Sequence, residues 1–180
     1  MSNQQLGSAM WRYVGTERPG FAVTPGPGQE SVWDYPRPPR VERDARRIEV
    51  RVGDACVAKT DHALRVLETA SPPTFYIPPA DVDLQQLMAA AGSSHCEWKG
   101  EARYWSIRTD DQVLQQVAWS YPAPHEAFAS LRDHIAFYPG RVACYVDGIR
   151  VQPQPGQFYA GWITPELVGP FKGAPGSEGW

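Results

Sequence analysis

Proline and glycine are the residues that most constrain the fold of this chain. The 180 residues include 18 prolines and 16 glycines, and both residue types interrupt regular helices and strands. Aromatic residues make up a further 12% of the sequence, so large rings are available to anchor the loops. A chain of this length can bury one sizeable core. The composition therefore predicts one loop-rich domain rather than a helical bundle.

Alternation of apolar and charged residues predicts the first strands of the core. Ile48, Val50 and Val52 alternate with charged residues in RRIEVRV, which is typical of a strand with one buried face. A Gly-Asp pair follows and suits a turn, so residues 55–58 are predicted to return as a second strand. The core therefore opens with a β-hairpin.

Two further hairpins are predicted downstream. Residues 96–108 and 113–121 are expected to pair as a long hairpin around the polar segment 109–112. In RVACYVDGIRV, the Asp147-Gly148 pair suits a type I′ turn, because both central residues of that turn need positive φ. These hairpins predict that most of the core is antiparallel β-structure.

Two short helices complete the expected fold. The segment DVDLQQLMAAAG (81–92) has Asp81 as a plausible N-cap and Gly92 as its end, and PHEAFASLRD (124–133) has a proline suited to a first turn. The predicted fold class is therefore mainly β, with two short helices.

The Pro/Gly-rich residues 1–40 are predicted to form an N-terminal arm that packs on a single domain of residues 41–180. Composition alone would also allow a disordered tail. Trp11, Trp33 and Tyr35 favour the packed arm, because large rings are costly to leave in water.

Charge and targeting signals narrow the classes of function. A net charge of −3 does not favour binding to nucleic acid or to a membrane surface. No apolar run approaches the length of a membrane helix. The first residues, MSNQQLGSAMWRYVG, lack the basic and apolar regions of a signal peptide. A soluble, cytoplasmic protein is expected, and its oligomeric state is left open.

The cysteines predict free thiols rather than a scaffold. Cys56, Cys96 and Cys144 are odd in number and widely spaced, with no CxxC pair. This spacing argues against disulfides and against a structural zinc site. We expect no metal and no cofactor. Cys96 is a candidate nucleophile, although a small apolar filler on a strand is the more ordinary role for such a residue.

Lysine usage singles out two positions. The chain has three lysines against fourteen arginines, and two of the three lie in the same pattern of aromatic residue, lysine and glycine: Trp98-Lys99-Gly100 and Phe171-Lys172-Gly173. Lysine and arginine are not interchangeable, because the ammonium is a compact point charge whose pKa responds to burial. The usage favours a function for Lys99 and Lys172, with a solvated surface lysine as the alternative.

Strand alternation gives Lys99 an expected position. If residues 96–105 form one extended strand, Lys99 and Trp105 point to one face, and Cys96, Trp98 and Tyr104 point to the other. Lys99 is then expected on the outer surface of the sheet. Substitution there would change stability little.

The chain resembles a known family over nearly its whole length. The resemblance is carried by a series of blocks in order: ESVWDYPRPPR, AKTDHALRVLET, FYIPPADVD, CEWKGEARYW, AWSYPAP, AFYPGRV, VDGIRVQPQPGQFYAGWIT and VGPFKGAPGSEGW. Together they resemble the domain of unknown function 427 family. The resemblance implies a β-tent fold, in which two antiparallel sheets meet at an angle. β-Tent proteins often hold zinc through two CxxC pairs, which this chain lacks.

The resemblance does not assign an activity to the chain. A nucleotidyltransferase label has been attached to the family, but the Gly-Ser and paired aspartates that two-metal nucleotidyl transfer needs are absent from this sequence. Asp81 and Asp83 do form a DxD pattern, at a predicted helix start where capping explains it.

Three functions remain open at this stage. The leading hypothesis is a cleft that binds a small planar or anionic metabolite. Its candidate residues are aromatic walls and polar anchors: Trp105, Trp119, Tyr121 and Trp162, with Lys99, Lys172, Arg65 and Glu68. Arg65 and Glu68 could instead pair with each other. The alternatives are an enzyme that uses Lys99 or Cys96 on the same surface, and a protein-interaction domain whose proline-rich arm is the recognition element.

Overall fold

The structure is a computed structural model, and it describes residues 11–180. The predicted fold class, mainly β with antiparallel sheets, is confirmed. In chain order the strands are β1 (Glu30–Ser31), β2 (Arg40–Asp44), β3 (Ile48–Val52), β4 (Ala55–Thr60), β5 (Ala63–Leu67), β6 (Thr74–Ile77), β7 (Leu87–Cys96), β8 (Gly100–Arg108), β9 (Val113–Ser120), β10 (Ile135–Phe137), β11 (Ala143–Val146), β12 (Ile149–Arg150), β13 (Gln152–Pro153), β14 (Trp162–Ile163) and β15 (Leu167–Val168).

Two antiparallel sheets dominate the molecule. The larger has seven strands in the order β2-β5-β6-β10-β9-β8-β7, and the smaller has four in the order β12-β11-β3-β4. Two short pairs lie outside them, β13 with β14 and the parallel pair β1 with β15. The predicted type I′ turn is confirmed, because Asp147 and Gly148 have φ values of 49° and 79° between β11 and β12.

The main core lies between the two large sheets. Ile48 and Val50 of β3 pack there with Phe75 and Ile77 of β6, and all four are essentially inaccessible to water. Because side chains alternate along a strand, Tyr76 of β6 points to the opposite face of the seven-stranded sheet. That second face is the one that carries the candidate site.

The prediction of a helix over 81–92 is wrong for most of the segment. Asp83 does cap a short 3-10 helix, Leu84–Gln86, but from Leu87 onward the chain is strand β7, which pairs with β8. The alanines favour a helix by only about tenths of a kcal/mol per residue, and tertiary contacts routinely override a preference of this size. Gly92, the predicted helix end, instead has φ of 88° where the β7–β8 register shifts.

The second predicted helix, over 124–133, is also not an α-helix. It is a 3-10 segment, Glu126–Leu131, interrupted at Phe128, whose side chain is buried with that of Leu131. The other 3-10 segments are Val32–Asp34, Pro79–Asp81 and Leu84–Gln86. Within residues 11–180, no helix has the length and apolar character needed to cross a bilayer.

The predicted unbroken strand over 96–105 does not form. Strand β7 ends at Cys96, β8 begins at Gly100, and these two residues face each other across the hairpin. Glu97–Lys99 is therefore a turn, followed by Gly100 with φ of 98°. The prediction that Lys99 lies beside Trp105 is consequently wrong, because strand alternation applies only where the backbone between two residues is extended.

The described part of the arm contacts the body through buried rings. Trp33 is 0% exposed and donates its indole N–H to the carbonyl of Pro170 at 3.0 Å. Tyr35 is buried as well. Residues 1–10 of the predicted arm lie outside the described residues, and the division of the chain at residue 40 stays a prediction.

One guanidinium connects the arm to the rest of the molecule. The side chain of Arg37 is 1% exposed and donates to Glu68 at 3.1 Å, to the carbonyl of Tyr13 at 3.1 Å and to the carbonyl of Thr69 at 3.0 Å. A longer hydrogen bond reaches the carbonyl of Trp180. The Arg37 network thus ties three separate parts of the sequence together.

A second arginine, Arg46, bridges β2 to the segment before β15. Its guanidinium donates to Asp44 at 2.6 Å and also to Glu166. Burial raises the pKa of Asp44, but hydrogen bonds and charge from Arg46 outweigh it, so that pKa lies below its ordinary value. Burial also raises the pKa of Glu166, but Thr164 and Arg46 lower it by more, so this pKa too lies below its ordinary value.

We expect Arg37→Ala to lower the free energy of unfolding by about 3 kcal/mol, because it leaves Glu68 without its partner and three carbonyls without a donor. Arg37→Lys should recover only part of this loss, since an ammonium lacks the fork of donors. Urea denaturation measures both effects. The control is Arg40→Ala, whose side chain is 58% exposed and should cost no more than about 0.5 kcal/mol. Equal losses for Arg37→Ala and Arg40→Ala would contradict the role of the Arg37 network.

We also expect acid to weaken the fold through Asp44 and Glu166. Their folded pKa values are depressed, so their stabilisation is present above the unfolded values near about 4 and is lost as pH falls through the folded values. Arg46→Met should therefore flatten the pH dependence of stability below about pH 5. Urea midpoints measured from neutral to acid pH test this. Arg18→Met, which breaks the exposed pair with Asp34, should leave the acid dependence unchanged.

Candidate functional site

A cleft of about 550 Å³ opens on the face of the seven-stranded sheet that points away from the main core. Its floor is formed by side chains of four strands: Val66 of β5, Tyr76 of β6, Ala102 of β8 and Trp119 of β9. The 97–99 turn and the loop around residues 157–160 form walls, together with residues from both ends of the described chain.

Strand register explains why aromatic rings line the floor. Tyr76 is paired with Ala136 of β10, Ala136 with Trp119, and Trp119 with Tyr104. Residues directly opposite in neighbouring strands share a face of the sheet, so this row places three rings on the cleft side. Tyr76 and Trp119 meet edge to face, with ring centroids 6.2 Å apart.

The turn that carries Lys99 is held by His125. The backbone N–H of His125 donates to the carbonyl of Lys99 at 3.1 Å, and its ring Nδ1 lies 3.0 Å from the carbonyl oxygen of Trp98. Gly100 has positive φ, a conformation that side chains disfavour. This glycine lets the chain reverse directly after Lys99, and the reversal carries the lysine side chain into the cleft.

Lys99 is buried rather than on the outer surface. It is 8% exposed, and its Nζ lies 5.9 Å from the ring centroids of Tyr121 and Phe128. Of the three lysines, only Lys59 pairs with a carboxylate among the described residues, Glu49 at 3.6 Å. Lys99 is thus a buried cation without an ion pair in the described part of the chain.

The groups around Lys99 keep it charged and leave hydrogen-bond donors beside it. Burial lowers the pKa of Lys99, but Cys96, Tyr121 and Glu68 raise it, and the net direction is upward. Burial also raises the pKa values of Tyr76 and Tyr121. Both phenols therefore stay protonated near neutral pH. An ammonium and two hydroxyl groups together suit the binding of an anion.

Lys172 lies on another wall of the same cleft. Its Nζ donates to the carbonyl of Trp180 at 2.7 Å and lies 4.8 Å from the ring centroid of Trp11 and 5.6 Å from that of Tyr159. Burial and the charge of Arg37 lower the pKa of Lys172, although Glu68 and Glu97 act in the opposite direction.

Backbone contacts hold Lys172 in place. Gln154 is buried, donates to the carbonyl of Lys172 at 2.8 Å and accepts from the N–H of Gly161 at 3.0 Å. A β-carbon on Gly173 would lie 1.9 Å from the carbonyl oxygen of Pro155, so only glycine fits there. As at Gly100, the glycine after the lysine is required by the backbone path.

Five of the predicted site residues line the cleft and three do not. The five are Lys99, Lys172, Glu68, Trp119 and Tyr121. Arg65 lies on β5 outside the cleft, where it pairs with Glu42 and Glu30 rather than with Glu68. The suggested Arg65–Glu68 pair is therefore wrong, and Glu68 pairs with Arg37 instead.

The other two predicted walls belong to the interior. Trp162 is 0% exposed, packs on Phe75 with centroids 4.9 Å apart, and donates its indole N–H to the carbonyl of Phe137. Trp105 packs against the main core and donates to the hydroxyl of Ser120 at 2.9 Å. Both fail as cleft residues because they face the core side of the larger sheet.

Sequence reasoning missed several rings of the cleft. They are Trp11, Tyr76, Tyr104, Tyr138 and Tyr159. Alternation in TFYIPP could have found Tyr76, whereas nothing in the sequence links Trp11 to this surface. Phe158 was also missed: it lines the cleft and is 82% exposed.

Burial raises the pKa of Tyr138, one of these rings, to about 12.

Within residues 11–180, no group of three or more histidine, cysteine, aspartate or glutamate side chains is placed to hold a metal ion. Cys96 is half-buried in the cleft near Lys99.

The fold and the cleft define a mainly β protein with a cationic, aromatic-lined cavity on one sheet face. The family model described as a domain of unknown function (DUF427) matches residues 40–148, and the chain belongs to this family. No curated protein matches the chain.

We expect Lys99→Met to leave the stability of the ligand-free protein within about 1 kcal/mol of the wild type. Methionine fills similar space and removes the desolvation cost of the charge, but the contacts with the rings, worth about 0.5–2 kcal/mol, and the attraction to the groups that raise the pKa of Lys99 are lost with the ammonium. Thermal melts should show a change in Tm of no more than about 2–4 °C. Lys59→Met at the exposed third lysine is the control and should leave Tm nearly unchanged. A larger fall in Tm for Lys99→Met would mean that Lys99 is a structural cation.

Proposed function

We propose that this protein binds a small anionic metabolite with a planar body in the aromatic cleft, and that Lys99 holds the anionic group. The observation that carries the proposal is the buried Lys99 ammonium, which faces the cleft and has no carboxylate partner among the described residues. A buried charge is costly unless it is paired. An anionic ligand would supply the missing partner.

The balance of charge in the cleft supports an anion rather than a cation. Among the described residues, two carboxylates line the cleft, the exposed Glu97 and the half-buried Glu68, and Arg37 already engages Glu68 at 3.1 Å. Lys99, Lys172 and Arg141 also line it, so positive charge exceeds negative charge in the cleft. In a cavity shielded from water, such charges act more strongly on a ligand than they would on an exposed surface.

The rings of the lining support a planar body. Trp98, Trp119 and Tyr76 present faces and edges to the same cavity, and aromatic side chains favour stacked or edge-to-face contacts with flat groups. The volume of about 550 Å³ also falls within the usual range for small-molecule sites.

A second candidate function is an enzyme that acts on such a ligand through Cys96. It is favoured by the position of the Cys96 sulfur, which is close enough to Lys99 and Tyr121 to affect their pKa values. A thiol beside a cation is a common arrangement for a nucleophile. Mass spectrometry of the bound ligand after incubation distinguishes the two, since a binding protein returns it unchanged.

The third hypothesis, a protein-interaction domain with a free proline-rich arm, has less support. Arg37 and Pro39 are buried in the body of the protein, whereas Pro27 and Pro38 are exposed, so only part of the arm is accessible for recognition.

For the compartment, the cytoplasm remains our proposal, on the basis of the three free cysteines.

Ligand screening against matched lysine variants tests the proposal. In a thermal-shift screen of anionic aromatic metabolites and nucleotides, we expect at least one compound to stabilise the wild-type protein and Lys59→Met equally. Lys99→Met should bind the same compound at least about tenfold more weakly, the effect of losing a charged hydrogen bond. The proposal fails if no anionic compound stabilises the wild type, or if the stabilisation survives in Lys99→Met.

A further inference from the structure

We propose that the ligand of this cleft carries two anionic groups, one at each end of a neutral planar body, and that Lys99 and Lys172 each hold one of them. This inference rests on the proposed function and specifies the class of ligand. The relevant chemistry is that of an aromatic or conjugated compound with two acidic groups, such as a dicarboxylate.

Two buried cations, and not one, face the cavity. Both lysines line the cleft and both are nearly inaccessible, with 8% exposure for Lys99 and 7% for Lys172. Neither forms an ion pair with an aspartate or glutamate among residues 11–180, in contrast to Lys59 with Glu49. Among the described residues, neither ammonium therefore has an acidic side chain in contact, although a buried charge is ordinarily paired.

The two ammonium groups lie against different walls. Lys99 contacts the rings of Tyr121 and Phe128, and Lys172 contacts those of Trp11 and Tyr159, so the two sets of rings do not overlap. Each ammonium therefore offers its own position for an anionic group. Two anionic groups on one ligand can occupy both positions at the same time.

Glu68 explains why the rest of the ligand should be neutral. Its carboxylate lines the cleft and is held in place by Arg37. It also acts electrostatically on both lysines, because it raises the pKa of each. A third anionic group beside this carboxylate would be repelled. The rings of Trp98 and Trp119, which line the same cleft, offer apolar walls to a flat body.

Lys172 has further N–H donors with which to hold an anionic group. One of its three N–H bonds is used by the carbonyl of Trp180, which leaves two donors for a ligand. Burial lowers the pKa of Lys172, and the charge of Arg37 lowers it further. An anionic group there would offset both effects and would raise the pKa of Lys172 on binding.

Isothermal titration with matched acids tests the inference. The probes are isophthalate, terephthalate and naphthalene-2,6-dicarboxylate, which differ in the spacing of their carboxylates. Each is compared with its monomethyl ester, which keeps the shape and removes one charge. We expect at least one diacid to bind the wild-type protein about tenfold or more tightly than its ester. In Lys99→Met and in Lys172→Met, that preference should fall to within about twofold, whereas Lys59→Met should keep it.

The outcomes separate this inference from the proposed function. If every ester binds as tightly as its diacid, and Lys99→Met still weakens both, the ligand has one anionic group and only the inference fails. Loss of the preference in Lys99→Met but not in Lys172→Met would also overturn it. If no probe binds the wild type at concentrations up to about 10 mM, weaker than any affinity expected for a paired charge, both proposals fail for aromatic acids. Circular dichroism of each variant verifies that the fold is retained.

Discussion

The buried guanidinium of Arg37 is the interaction on which the rest of the structure depends. It joins the backbone of the arm at Tyr13, the end of β5 at Glu68 and Thr69, and the backbone of Trp180. These segments are far apart in sequence, and each adds a wall to the cleft. Arg37 also holds the Glu68 carboxylate, so that carboxylate acts on the neighbouring lysines only at a distance and forms no ion pair with them. The same ion pair therefore shapes the cavity and leaves it positively charged.

The Lys-Gly pairs show how backbone geometry serves that cavity. Gly100 and Gly173 have φ values of 98° and 113°, which let the chain turn immediately after each lysine. A planar guanidinium at the same places would present five N–H donors, each of which would need a partner when buried. A compact ammonium needs fewer partners and can leave some of its donors for a ligand. This favours lysine at positions 99 and 172 in a chain with fourteen arginines and three lysines.

Much of the fold could be predicted from the sequence, and less of the site. Hairpins with a period-two pattern and a clear turn, such as Asp147-Gly148, were found because both signals are local. The segment from Leu87 was mistaken for a helix, because its small residues carry no strand signal until β8 pairs with it. The error at residues 96–105 had more effect, since a turn of three residues reversed the direction of Lys99. Trp162 and Trp105 were misplaced because ring type does not tell which face of a sheet is buried.

Contacts between residues that are distant in sequence also explain why only part of the cleft could be predicted. Lys99, Trp119 and Tyr121 lie near one another along the chain, and their common surface could be guessed from one hairpin. Trp11 and Lys172 reach the same surface only through the Arg37 network and the Gln154 contacts. No local sequence pattern predicts that these residues lie on the same surface.

The burial of Trp33 and Trp162 has a consequence for how the family boundary should be understood. The matched segment, residues 40–148, contains Leu67 and Phe75, but the indoles that cover these side chains come from outside it. A polypeptide trimmed to that segment would expose apolar surface on the larger sheet. The region that defines the family by sequence is thus smaller than the unit that shields its own core. The flanking segments are structural parts of that unit, and they also bring the second lysine to the cavity.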